Sequence, residues 1–283
     1  MHKLGVVVLN FGIPEDALKT VNQLKSLNSN INIVVVDNYS DEANKLELKE
    51  SLKNVFNEQD KLILLNSNYG YSYGNNAGLR YLFEKNSCSH ALVLNPDIEI
   101  KEFVLKIDQL NTKEPILFSG VITENGSNYS RLKFNPWNFL SKKISRQTNF
   151  NNPIYISGCC FGMNKEMWQR FGGFNENFFL YFEELDFIYR FKKKFHKFPK
   201  IVTIDSIKIN HFVGGVTGAS KSKVISSPLS DYWSCYSRIT FCIKNIPTFL
   251  FSALIYNVFK LLLRLVTLKF SNASMILKAT LRL

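Results

Sequence analysis

The sequence predicts an α/β fold, a doubly wound and mostly parallel central sheet with helices on its faces. Two observations predict it. Four apolar runs of strand length recur over the first hundred or so residues, and segments with helical apolar spacing separate them. Each run also stops at asparagine or aspartate, so polar chemistry collects where the strands end.

The elements follow in order. Gly5-Val6-Val7-Val8-Leu9 is continuously apolar, as a strand buried on both faces requires, and Asn10 ends it. Pro14 to Leu27 places Ala17, Leu18, Val21, Leu24 and Leu27 at helical spacing. Ile31 to Val36 is the second run, with Asn32 as its one polar residue, and Asp37-Asn38-Tyr39-Ser40 closes it. A second helix spans Asp41 to Phe56. Leu62 to Leu65 is the third run, ending at Asn66-Ser67-Asn68, and a third helix covers Asn75 to Lys85. Just before and into it, Gly70, Gly74 and Gly78 are spaced by four, which is not the Gly-x-Gly-x-x-Gly dinucleotide pattern. These glycines either pack a helix closely or let a loop, with Asn75 and Asn76, approach a nucleotide. Ala91 to Leu94 is the fourth run, ending at Asn95-Pro96-Asp97. Pro96 fixes its own φ and biases Asn95 toward extended backbone, so Asp97 is held stiffly at a strand tip. A hard divalent cation that bridges to phosphates takes such a carboxylate. Four polar strand ends on one sheet edge point to a nucleotide site, because ligands of open α/β sheets bind beyond the carboxyl ends.

The second half is less regular. Asn111 to Asn152 is polar and weakly periodic, and is expected to form loops and short strands, partly mobile over the site. Glu183, Glu184 and Asp186 then follow a strongly aromatic stretch. Crowded carboxylates raise one another's pKa and burial adds to this, which makes a usable general base. The competing reading is a helix first turn, with Asp186 paired to Arg190 at i+4. Lys200 to Ile209 reads as another strand, with His211 at its end before Gly214-Gly215. There an imidazole either completes a carboxylate-based metal site or is structural.

Five segments occur in a fixed order: Val34 to Ser40, Asn68-Tyr69-Gly70-Tyr71 through Asn75-Asn76-Ala77-Gly78, Leu94 to Asp97, Gly172 to Glu176, and Phe179 to Asp186. In that order they resemble the inverting family 2 glycosyltransferases of the GT-A fold, whose Rossmann-like, mostly parallel central sheet is flanked by helices. They resemble most the rhamnosyltransferase-like branch of bacterial surface polysaccharide synthesis (O-antigen, capsule), over about residues 3 to 218. The resemblance implies direct displacement of a sugar from a nucleoside diphosphate sugar onto a glycan or lipid-linked saccharide acceptor. dTDP-rhamnose is the favoured donor and a UDP-hexose the alternative. It places Asn10, Asp37 and Asn38 in the nucleoside pocket, with Gly70, Asn75 and Asn76 along the nucleotide. Asn95 and Asp97 match the first and last positions of the family's Asp-x-Asp motif, so Asp97 would bind Mg2+ or Mn2+. His211 matches a late histidine near the diphosphate, a second candidate metal ligand. Gly158 matches the acceptor-side loop. Glu184 aligns with the family's base, leaving Glu183 as its rival and Asp186 as the third acid. A nucleotide-sugar-binding protein without catalysis is the competing class.

Composition bounds the rest. Lys+Arg 35 against Asp+Glu 23 gives a net charge of +12, which favours an anionic partner. The basic residues are scattered and no nucleic-acid motif accompanies them, so nucleic acid is not expected. Five cysteines without a Cys-x-x-Cys pair suggest reduced thiols in a cytoplasmic protein. The Leu4 to Leu9 run is too short for a signal-peptide core. Residues 1–220 are expected to form the GT-A domain and 221–283 a helical extension. Ile246 to Lys269 is apolar, interrupted by Lys260, Arg264 and Lys269, and its charge-free stretch Asn245 to Phe259 is too short to span a bilayer comfortably. This predicts peripheral docking on the anionic inner face of the cell membrane. The rival packs the helix on the catalytic domain or on a second copy in a homodimer.

Overall fold

The computed structural model describes residues 3–28, 30–104, 110, 113–145, 153–211 and 227–282. Four strands, β1 (Leu4–Asn10), β2 (Asn32–Asp37), β3 (Lys61–Leu64) and β4 (His90–Leu94), lie parallel in the order β3-β2-β1-β4. The apolar runs are continuous because the two faces of β1 feed two different cores. Val7 joins Val34, Val36 and Val93 on one side, and Val6 and Val8 join Val35, Leu92 and Leu94 on the other. β3 departs from the expectation of burial on both faces. It is the sheet's edge strand, and its residues are half-buried or exposed.

Helix α1 (Pro14–Leu27) buries Ala17, Val21 and Leu24, and its proline sits in the first turn where no amide hydrogen bond is lost. Helix α2 (Glu42–Lys53) is capped by Asp41, whose side chain accepts the Asn44 N–H. Helix α3 (Gly70–Arg80) begins five residues earlier than the sequence suggests, so the glycine segment is helical. A Cβ on Gly74 would lie 2.4 Å from Leu9, and one on Gly78 would lie 2.5 Å from Val7. Those two glycines serve close packing of the helix on β1. A π-helical turn, Tyr81–Lys85, continues α3.

The remaining strands are β5 (Ile98–Phe103), β6 (Ile116–Glu124), β7 (Ser127–Tyr129), β8 (Arg131–Asn135), β9 (Leu140–Ile144), β10 (Ile154–Tyr155), β11 (Cys160–Asn164) and β12 (Lys200–His211). The main sheet continues β4-β11-β6-β12-β5, with β7 paired to β6, while β10-β8-β9 form a small second sheet. The segment expected as loops and short strands supplies the short β7, β8 and β9, but also β6, a nine-residue strand inside the main sheet. Residues 146–152 of that segment lie outside the described residues.

Strand direction decides which residues meet. β11 is antiparallel to both β4 and β6, so those two point the same way, and β12 runs parallel to β6. The carboxyl ends of β1, β2, β4, β6 and β12 thus share one edge, and β5, antiparallel to β12, starts there.

Helices α4 (Lys165–Arg170) and α5 (Glu183–Phe195) follow β11. Helices α6 (Pro228–Asn245), α7 (Leu250–Val266) and α8 (Phe270–Leu281) form the extension. α6 packs directly on the catalytic unit: Ser237 Oγ donates to the Leu180 carbonyl at 2.8 Å, and Asn245 donates to Asp186 at 2.9 Å. The expected boundary at 220/221, together with Gly214 and Gly215, lies outside the described residues. All five cysteines are buried and free.

Candidate active site

The ends of β1 and β2 form a closed polar knot. Asp37 is fully buried. Its Oδ1 accepts from Asn10 Nδ2 at 2.9 Å and from the Ser40 hydroxyl, and its Oδ2 accepts the Ser40 N–H at 3.0 Å. Asn10 Oδ1 accepts the Ile13 N–H, and Ser40 Oγ accepts the Gly12 N–H. Asn10 and Asp37 therefore shape the loops around the site rather than presenting free groups. Asn38 faces outward from the knot. It donates to Asn68 Oδ1 at 2.9 Å and accepts the Tyr69 N–H, which fixes the entry to α3.

Asn75 and Asn76 point elsewhere. Asn76 clamps the Gly173-Phe174 turn, donating to the Phe174 carbonyl and accepting the Phe174 N–H, both at 2.9 Å. Asn75 is fully buried and donates to Tyr71 O. Both side chains thus bond backbone groups, Asn75 within α3 and Asn76 in the Gly173-Phe174 turn.

Asp97 lies between β4 and β5. Because Ile98 pairs with His211 in the β5–β12 ladder, the end of β12 arrives beside it. His211 Nε2 is 3.8 Å from Asp97 Oδ1, and its Nδ1 is 3.4 Å from Glu124 Oε2. Glu124, the last residue of β6, escaped the sequence reading. Its carboxyl is pulled down to about 2 by hydrogen bonds from His211, Lys143 and the Tyr129 hydroxyl. Among the described residues no three His, Cys, Asp or Glu side chains converge as a complete metal site. What is present is a carboxylate beside an imidazole whose other nitrogen faces a second carboxylate. That donor set suits a divalent cation whose remaining positions are filled by phosphate oxygens and water.

The acidic cluster opens α5 immediately after Tyr181 and Phe182, at φ +69° and +68°. Two successive aromatic residues in the left-handed region are held by tertiary contacts rather than by preference. The Tyr181 hydroxyl bonds Ser230 Oγ at 2.7 Å, and Phe179 stacks on Trp233 with ring centroids 4.3 Å apart. The three acids then separate in role. Asp186 is fully buried and occupied, accepting Arg190 Nε at 2.5 Å and Asn245 Nδ2 at 2.9 Å. Both of its carboxylate oxygens are thus engaged within the fold. Glu183 is 4% exposed and one of its oxygens has no hydrogen-bond partner. Burial, and then the charge of Glu184, holds its carboxyl well above the ordinary range. Glu184 is half-buried, and its Oε1 accepts the Gly158 N–H at 2.7 Å. Its carboxyl is also raised, chiefly by burial, with backbone N–H groups opposing the rise.

Tyr71 joins the two halves of the site. Its hydroxyl donates to Gly158 O at 2.7 Å, and its N–H donates to Phe179 O at 2.7 Å. Burial and the nearby Glu184 charge keep that hydroxyl protonated. A cavity of about 190 Å³ has Asn38, Gly70, Tyr71, Asn95, Asp97 and Ser230 in its wall. A second, of about 300 Å³, has Glu183 and Glu184 among Phe134, Phe139, Tyr155 and Phe182. A further cavity, of about 1310 Å³, lies at the start of β12 around Lys200 to Thr203 and holds none of these residues. Of the residues singled out from the sequence, Asn38, Gly70, Asn95 and Asp97 line the first cavity, and Gly158 touches Glu184 at the second. Tyr71 gave no sequence signal beyond lying in an aromatic, glycine-spaced stretch.

Comparison with protein families matches residues 6–172 to the family described as glycosyl transferase family 2. The low-salt glycan biosynthesis hexosyltransferase Agl10 of Haloferax volcanii is 27% identical over 218 residues, covering 73% of this chain and 67% of that protein. Among solved structures, the mannosyltransferase PcManGT from Pyrobaculum calidifontis, in complex with GDP-Man and Mn2+, superposes with a TM-score of 0.55 at 11% identity, covering 98% of this chain and 85% of that one. GalNAc-T7 with UDP, GalNAc and Mn2+ superposes with a TM-score of 0.54 at 15% identity, covering 85% of this chain. This chain spans about half the length of GalNAc-T7, 51% of it. These likenesses establish the GT-A fold.

Proposed function

The chain belongs to glycosyl transferase family 2, which makes it a glycosyltransferase, and from that premise we propose that it moves a hexosyl or deoxyhexosyl group from a nucleoside diphosphate sugar to a hydroxyl of a glycan or lipid-linked saccharide, inverting the anomeric centre. The observation that carries this reading is a pair of cavities linked by hydrogen bonds, from the Tyr71 hydroxyl in the wall of one to Gly158 O, and from the Gly158 N–H to Glu184 in the wall of the other. One presents Asp97 and the other Glu184. Donor and acceptor chemistry thus sit on either side of one hydrogen-bonded contact.

Glu184 is the base in this proposal. The Gly158 N–H fixes one oxygen of its carboxylate, which takes the acceptor hydroxyl proton as that oxygen attacks. Glu183 is set aside because it is buried and nothing among the described residues orients its second oxygen, whereas Glu184 is half-buried and held by the Gly158 N–H. Asn38, Asn95 and the Gly70 backbone border the nucleotide. Asp97 and His211 would hold a divalent cation, Mg2+ or Mn2+. When bound, that ion supplies positive charge to the departing diphosphate. Both structural neighbours named above carry Mn2+ with a nucleotide or nucleotide sugar. The motifs favour dTDP-rhamnose as donor. The names of the relatives, with GDP-Man, UDP and a hexosyltransferase among them, bring hexose donors into the same test.

The experiment is a thermal-shift screen of UDP-, GDP- and dTDP-sugars with and without Mn2+, followed by nucleotide-release assays. A donor at a hundred times its Kd stabilises by about 2.7 kcal/mol. Asp97→Asn should lose the metal-dependent part of that shift. Glu184→Gln should keep the shift and lose about 10²–10⁴-fold in turnover. The proposal fails if no donor stabilises the protein with metal present, or if Glu184→Gln turns over normally.

A further inference from the structure

In the sequence, Lys260 and Arg264 break up an apolar run. In the structure they turn inward. Asp231 of α6 is fully buried, with Lys260 Nζ at 2.9 Å, Arg264 Nε at 2.7 Å and Asn272 Nδ2 of α8 at 2.8 Å. Asn257 is fully buried too, bonded to Arg238, to the Cys235 carbonyl and to Thr280. Asn257, Lys260 and Arg264 follow one another at intervals of three and four, so they share one face of α7.

The opposite face is left uninterrupted. Phe251 (74% exposed), Ile255 (54%), Phe259 (66%), Leu262 (54%) and Val266 (81%) form a stripe at the same helical spacing. Leu268 and Phe270, both well exposed, prolong it toward α8. The helical stretch Pro247–Val266 has a mean hydropathy of 1.8, yet only 11% of it is buried. Scattered apolar residues on a surface are ordinary, but a contiguous stripe of this kind marks a contact surface.

Charge identifies the occupant. After Asp231 the sequence given has no Asp or Glu, and apart from the inward Arg238, Lys260 and Arg264 it carries Lys244, Lys269, Lys278 and Arg282, all exposed or half-exposed. A second copy docking by the same face would bring like charge to like charge, whereas an anionic lipid surface complements it. Trp137, 73% exposed, stands edge-on to Phe249 at 4.9 Å where α7 begins, and adds an aromatic of the kind that settles at lipid headgroups. A spanning orientation is disfavoured, because it would strip the Asn257-Lys260-Arg264 face of its partners and place charges in hydrocarbon.

We propose that α7 and α8 lie in the plane of an anionic bilayer, with the Phe251–Val266 stripe at the acyl boundary, so that the enzyme works at the membrane surface. α6 connects this foot to the site. Ser230, which borders the donor cavity and bonds Tyr181, is the immediate neighbour of Asp231.

The test uses the full chain and two kinds of vesicle, phosphatidylcholine alone and phosphatidylcholine mixed with phosphatidylglycerol. The protein should sediment with the mixed vesicles, bind less at high salt, and be released by alkaline carbonate. The triple variant Phe251→Ser, Phe259→Ser, Val266→Ser changes only exposed side chains, so its melting temperature should be unchanged. Its vesicle binding should fall at least about tenfold, since three apolar side chains no longer leave water at the acyl boundary. Three results overturn the proposal: equal binding by the variant, resistance of the native chain to carbonate, or a dimer by light scattering that the variant converts to monomer.

Discussion

Gly158→Ala tests the assignment of Glu184 with one methyl group. A Cβ at position 158 would lie 2.6 Å from Glu184 Oε1 and 2.7 Å from the Tyr71 hydroxyl. Ordinary contact begins near 3.4 Å, so the carboxylate oxygen must retreat by about 0.8 Å. Both groups are ends of side chains and can move, while the 158 backbone is not in the left-handed region and takes alanine without strain. The N–H that orients Glu184 belongs to the main chain and survives the substitution. Folding stability should therefore change little, and a smaller unfolded-state entropy offsets part of any loss. Catalysis should not be spared, because a misplacement of about 1 Å can cost roughly 10²-fold in rate. That corresponds to about 2.7 kcal/mol in the barrier. The measurement is nucleoside diphosphate release with the best donor from the screen, together with a thermal melt. A folded Gly158→Ala enzyme within about threefold of native kcat would refute the placement of the base at Glu184, since a group that tolerates such a shift is not transferring the proton.

Further predictions concern stability. The folded Glu183 carboxyl is raised, so the native state holds its proton more tightly than the unfolded chain does. Stability then declines as pH rises from about 4.3, the ordinary glutamate value, through the raised folded value. Glu183→Gln should flatten that decline, leaving the variant more stable than native at neutral pH and no better near pH 4; parallel melting curves for the two proteins across this range would contradict it. Asp231→Ala leaves Lys260 and Arg264 facing a vacated buried site, and should cost about 3–5 kcal/mol in denaturant unfolding. Gly70→Ala adds a Cβ 2.4 Å from the Phe179 carbonyl oxygen at a residue with φ +87°. A backbone atom cannot step aside, so the loss should reach about 2 kcal/mol or more, with 1–2 kcal/mol from the left-handed conformation alone; a melt unchanged from native would show that the α3 entry is looser than this geometry.

The sequence resolved those parts of the fold where one physical demand sets every residue. β1, β2 and β4 read clearly because both of their faces are buried, so nothing polar intervenes until the strand ends. β6 did not, because its pattern serves neighbours distant in sequence. Gly120 is small because Ile207 of β12 lies against it, and Ser119 is buried with its hydroxyl turned to a backbone carbonyl. With β6 unread, Glu124 at its tip was invisible. Asn10 and Asp37 were correctly placed at the sheet edge, but their mutual hydrogen bonds with Ser40 depend on how two strands end side by side. The three acids of α5 were all found. Only partners at positions 158, 190 and 245 separate them into an oriented carboxylate, a structural ion pair and a buried acid with an unpartnered oxygen.

The same distances in sequence explain why the turn before α5 depends on the helical extension. The family match ends at residue 172, before Glu183, Glu184 and His211. The turn that aims the two glutamates carries Tyr181 and Phe182 in a conformation costing about 1–2 kcal/mol per residue. The compensation comes from α6, through Ser230 on the Tyr181 hydroxyl, Ser237 on the Leu180 carbonyl, Trp233 stacked on Phe179, and Phe241 packed against Phe182. α6 is in turn fixed to α7 and α8 through Asp231. The helical extension is thus packed on the turn that carries Tyr181 and Phe182. The extension buttresses the strained turn through α6, and Tyr256 of α7 adds a second contact on Phe139, which packs on Phe182.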